Sequence, residues 1–145
     1  MIAVKRRAGE RGSSLIEFSL VAVQLVLVVF AIFEFGRMVL VSTTVANSAR
    51  TAVRYAIVHG GTRSGTGVDG PSGPGNTTQV VANITRYATT GLLDGSRLVT
   101  NVTYPDGTNT PGSRVVVTVT YPYDPFVVLP LRVNLGSTTE GVICF

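Results

Sequence analysis

The stretch RAGERGSSLIEFSLVAVQLVLVVFAIFEF, residues 7–35, decides how the rest of this chain must be arranged. It opens basic and broken by glycine, then turns into an almost unbroken apolar run. From Phe18 to Phe33 there is no charged side chain, a length of about 24 Å as a helix. Leu15, Ile16 and Phe35 extend the run to the roughly 20 residues that cross a bilayer. One carboxylate, Glu17, sits just inside its start. Everything else reads as what this segment carries.

The charge balance supports that reading. The chain has a formal net charge of +4, yet Lys5, Arg6, Arg7 and Arg11 against Glu10 place +3 of it in the leader. A folded part left nearly neutral is poorly suited to nucleic acid, so no nucleic-acid partner is expected. A basic end before an apolar span stays on the cytoplasmic side by the positive-inside rule. The expected topology is a single-pass protein of the inner (cytoplasmic) membrane, with membrane lipid as a partner. Its N-terminus is cytoplasmic, and residues after about Arg37 lie outside.

Outward from the run, residues 1–12 lack periodicity and read as a disordered basic leader. Gly12 followed by Ser13 and Ser14 is a helix-start signal. With no proline before Pro71 and only Gly36 before Gly60, one helix over 13–58 is expected, membrane-embedded to about 36. In its second half Ala46, Ala49, Ala52, Val53 and Ala56 recur every three or four residues, a stripe of small side chains. That stripe should pack against the folded domain, whereas Arg50 and Arg54 read as a solvated face.

Residues 59–76, HGGTRSGTGVDGPSGPGN, form a Gly-rich loop expected to be mobile at the surface. No Gly-Lys-Ser/Thr follows, so its glycines do not make a phosphate loop. The remaining 77–145 is expected to be an extracytoplasmic α+β domain. Asn76 should cap a short helix over 77–90, with Val80, Val81, Ile84, Tyr87 and Ala88 on one face and Gly91 as its stop. Leu98–Tyr104 and Ser113–Tyr121 alternate as strands around the turn-forming PDGTNTPG. Val115, Val117, Val119 and Tyr121 should face the core. Pro122, Pro125 and Pro130 predict a connection over Tyr123–Leu129. A last strand over Arg132–Phe145 follows, interrupted near Gly136 and Gly141. The fold class is therefore α+β: a long N-terminal transmembrane helix continuing into a small domain with one short helix and a three-stranded antiparallel sheet.

The sequence argues against an enzyme. It has one histidine, His59, and one cysteine, Cys144, which excludes an intramolecular disulfide. Asp69, Asp94, Asp106 and Asp124 each precede Gly or Pro, where turn geometry alone calls for Asp. No His/Cys/carboxylate spacing suits a metal, so neither metal nor cofactor is expected.

Glu17 is the residue that asks for a function, because a carboxylate inside an apolar helix is costly unless it is neutralised or paired. The order Gly12, Ser13-Ser14-Leu15-Ile16, Glu17, Phe18 resembles the processing site of prepilin-peptidase substrates. Together, ERGSSLIEFSLV (10–21), FEFGRMVLV (33–41) and NSARTAVRYA (47–56) resemble the TadE-like family of the tight-adherence, Flp-type pilus system. The resemblance spans 9–58. It implies cleavage between Gly12 and Ser13, with Gly12, Glu17 and Phe18 as the prepilin motif. It also implies pairing of Glu17 with the freed Ser13 amine of a neighbouring subunit.

The implied function is a non-enzymatic minor pilin or pseudopilin in tight-adherence pilus assembly and cell adhesion, possessing more ectodomain than a major pilin. Its partners would be the prepilin peptidase, other pilin or pseudopilin subunits and the assembly platform. The alternative is a signal-anchored extracytoplasmic domain that binds a ligand or surface and never enters a filament.

Overall fold

The computed structural model describes residues 9–126 and 132–145, with side chains from residue 12 onward. Most of the basic leader and residues 127–131 of the expected connection lie outside the described residues. The chain divides into two compact units, one up to Gly36 and one from Arg37 to Phe145. Helix α1, Gly9–Val58, enters both; α2 is Thr78–Thr90, and the strands are β1 Val99–Thr103, β2 Arg114–Tyr123 and β3 Val133–Val142. The sheet is antiparallel in the order β1-β2-β3. The architecture is α+β, as expected.

The first unit is helical throughout its described part, and α1 starts at Gly9 rather than at Ser13. Ser13 is therefore inside the helix and is not its cap.

The second unit is built around the small side chains of α1. Val45, Ala49, Ala52, Val53 and Ala56 are buried, as are Val80, Ile84 and Ala88 of α2 and Val115, Val117, Val119, Tyr121 and Tyr123 of β2. Of the expected stripe, Ala49, Ala52, Val53 and Ala56 thus form the helix side of the core, while Ala46 is only half-buried and Val45 is buried beside it. Arg50 and Arg54 are exposed, as a solvated face should be.

β3 comes so close to α1 that a Cβ on Gly141 would lie 2.6 Å from both Val53 Cγ1 and Ile57 Cδ1. Gly141 therefore does not interrupt β3, and neither does Gly136; both pair with β2 without a break. Glycine here answers to interhelix-strand distance.

Pro122 also differs from expectation, lying within β2 and pairing with Asn134. Its carbonyl accepts a hydrogen bond from Arg97 Nη2 at 3.1 Å, so this residue's peptide edge faces the β1 side. β1 has not begun there, and no ladder bond is lost for want of an N–H.

The cap of α2 is Thr77, without a side-chain bond, whereas Asn76 Nδ2 instead donates to the Pro71 carbonyl at 3.3 Å. Within α2, Val81 is half-buried and Tyr87 exposed. At its other end, Leu92 N–H donates to Thr89 O and Leu93 N–H to Ala88 O. These bonds close the helix by a Schellman motif, with Leu92 at φ 64° as its left-handed residue. Gly91 itself has φ −82°. Its lack of a side chain serves packing, since a Cβ would lie 2.4 Å from Thr44 Cγ2.

PDGTNTPG folds as two β-turns. Gly107 N–H donates to Tyr104 O at 2.9 Å, and Ser113 N–H donates to Thr110 O at 3.0 Å. Each turn has proline at its second position, and Gly107 and Gly112 take φ of 69° and 93°.

The Gly-rich 59–76 segment is not a loose tether. Ser72 is buried and donates both its N–H (2.7 Å) and its Oγ–H (3.1 Å) to the His59 carbonyl. Asn109 Nδ2 donates to Ser72 O at 2.9 Å, and Tyr104 Oη donates to Ser72 Oγ at 3.2 Å. Its glycines allow backbone to pack on backbone.

Candidate functional site

The first unit presents side chains that a water-soluble fold would hide. Phe18 and Phe33 are 71% and 74% exposed, and none of the most apolar 18-residue window is buried. A helix is the form such a segment takes in lipid, because every backbone N–H and C=O must be satisfied within the segment. Ser19 follows the same rule, its Oγ–H donating to the Leu15 carbonyl at 2.7 Å. Among the described residues one helix is long and apolar enough to cross a membrane.

Gly12, Ser13, Glu17 and Phe18 all lie on α1 and all are exposed. A Cβ on Gly12 would meet nothing within 4 Å, so no packing demands glycine there. The Gly12–Ser13 peptide is inside a helical turn, where glycine lowers the cost of unwinding by about 1 kcal/mol relative to alanine.

Sequence reasoning missed Gln24. It is uncharged and so leaves the charge-free run intact, yet its carboxamide sits near the middle of that run. Glu17 and Gln24 are seven residues apart, which puts them on one helix face within about 20°. A polar side chain at that depth gains most from a partner on another helix.

The second unit gathers a cation–aromatic cluster around Arg37, the first arginine after the apolar run. Arg37 Nε donates to Tyr123 Oη at 3.0 Å, and its Nη2 donates to the Asp124 carbonyl. The guanidinium carbon lies 4.7 Å from the Tyr123 ring centre and 4.1 Å from that of Phe126. Arg97 pairs with the Asp124 carboxylate and lies 5.5 Å from the Tyr121 ring centre. The bond to Asp124 raises the Arg97 pKa, so the guanidinium keeps its charge. Asp124 thus does more than shape a turn. The sequence signal for this cluster was the YPYDPF run, which its prolines made look like a connection.

Catalytic groups do not converge in the same way. His59 stacks on Tyr55 with ring centres 3.8 Å apart, and its Nδ1–H donates to the Tyr55 carbonyl at 2.8 Å. Asp94 accepts from Ser96 N–H at 3.0 Å, and Asp106 accepts from Arg114 N–H at 2.8 Å. Cys144 is exposed. Among the described residues no three His, Cys, Asp or Glu side chains gather where they could hold a metal.

Residues 12–54 match the family model of TadE-like proteins. The TadE-like segment thus contains the apolar run, Glu17, Gln24, Arg37 and most of the small-residue stripe. α2 and the sheet lie beyond it. No curated protein and no solved structure matches the chain.

Proposed function

We propose that this protein is a non-enzymatic minor pilin or pseudopilin, a membrane-inserted component of tight-adherence pilus assembly. The observation carrying this reading is an apolar helical run inside the TadE-like match, with none of its most apolar 18-residue window buried and two polar side chains, Glu17 and Gln24, on one face. Such a helix has no use for its exposure in water. In lipid, that surface faces acyl chains, and its polar stripe draws another helix.

In the proposed mechanism the prepilin peptidase cuts between Gly12 and Ser13. The cut removes the basic leader and frees an amine on Ser13. Glu17 of a neighbouring subunit then pairs with that amine as helices gather, and each charge offsets the cost of the other in lipid. The unit from Arg37 onward stands outside the cytoplasmic membrane, where it contacts other pilin subunits and the assembly platform.

Intact-mass measurement of the membrane-extracted protein tests the first step, with Ser13 as the expected N-terminus. Retention of residues 1–12 would sink the prepilin reading. Glu17→Ala tests the second and should leave processing intact while lowering co-isolation with pilus components. Undiminished co-isolation would discard the charge pairing and leave the processing step standing.

A further inference from the structure

We infer that the rim of the second unit around Arg37 is a lipid-contact surface, seated in the outer headgroup layer of the membrane. The inference rests on the reading of the preceding apolar run as a membrane span. Leu92 and Phe126 are 91% and 82% exposed, more than any side chain of the apolar run itself. Leu92 is unusual twice over. It leaves nearly its whole side chain uncovered and holds φ 64°, a conformation that residues other than glycine seldom adopt. Glycine or asparagine would suit that position in a helix-ending motif, and among the described residues nothing in the second unit's packing calls for leucine.

The surroundings explain it. Leu92 shares a groove of about 360 Å³ with Arg37, Leu40, Arg97, Tyr121 and Tyr123. Phe126 covers the Arg37 guanidinium from outside the groove's tyrosines. Exposed arginine and protruding apolar tips are what the boundary between acyl chains and headgroups favours. Arginine can lay its stem along apolar surface with its charge among phosphates. Arg37 follows the apolar run directly after Gly36, so in the chain this rim is the first part of the second unit after the proposed span. The occupant is therefore phospholipid: Leu92 and Phe126 dip below the phosphates, and Arg97 and the 89%-exposed Arg132 meet them.

The chain contains no tryptophan, so single substitutions give clean depth reporters. The full-length protein would carry Leu92→Trp, Phe126→Trp, Leu27→Trp or Val68→Trp in phosphatidylcholine–phosphatidylglycerol vesicles with spin-labelled lipid. Val68 is the distal control. Its carbonyl accepts from Tyr55 Oη at 2.6 Å, and Tyr55 is about 27 Å along α1 from Arg37. Label near the headgroups should quench Leu92→Trp and Phe126→Trp several-fold more strongly than Val68→Trp, while deep label quenches Leu27→Trp. Equal quenching at the rim and at Val68, with Leu27→Trp still quenched, would overturn the lipid contact and leave the span. Blue-shifted rim emission without lipid quenching would overturn it in favour of a protein partner. Failure of Leu27→Trp to be quenched would remove the span and this proposal with it.

Discussion

Gly141 and Glu17 illustrate how differently single residues can be read. Glu17 was conspicuous because its charge contradicts everything beside it, and contradiction is visible in one dimension. Gly141 looked like a strand breaker, whereas it is a point where β3 presses close against α1. That role depends on which atoms lie opposite, Val53 Cγ1 and Ile57 Cδ1, and no local pattern contains it. Gly141→Ala should therefore destabilise the second unit by about 1–3 kcal/mol, the usual range for overpacking a tight contact. Guanidinium unfolding of the full chain in detergent would measure it. An unchanged midpoint would mean that the strand does not press on the helix there.

The elements show the same division. β2 was legible because period-two alternation of Val115, Val117 and Val119 encodes one buried face. The stripe on α1 was legible because small residues at helical spacing have one common use. Ends were less so: Pro122 belongs to a strand because its neighbour strand stops short, and Leu92 closes α2 although Gly91 stands beside it.

The β1–β2 hairpin has a clip that makes its behaviour in acid predictable. Asp106 accepts hydrogen bonds from Arg114 Nη2 at 3.1 Å and from Arg114 N–H at 2.8 Å, and both hold its carboxyl below the ordinary value of 3.8. A lowered folded pKa means that the clip is fully made above the ordinary value. It is lost as pH falls through the depressed one. The Arg114 amide shift, followed by NMR, should titrate with a midpoint below 3.8, and Arg114→Ala should move the Asp106 carboxyl back up. A midpoint at or above the ordinary value would show that the clip does not form.

For the molecule as a whole, an abrupt change in hydropathy sets the apolar run apart from the rest of the chain in sequence. The cluster joining Arg37 to Tyr123 and Asp124 has no such mark, since 86 residues separate the first pair. Another distant contact closes the far end of the second unit. Cys144 N–H donates to the Ile57 carbonyl at 3.1 Å, Ile143 is buried, and the Phe145 carbonyl lies against Gly60. The consequence concerns time. Contacts of such sequence separation form late. On the topology proposed above, a chain exported helix first leaves the end of α1 at Ile57 and Gly60 uncovered until residues 143–145 have also crossed. A version ending at Val142 should stay sensitive to added protease in spheroplasts, while the full chain becomes resistant soon after synthesis. On that topology the second unit closes after export and not during it.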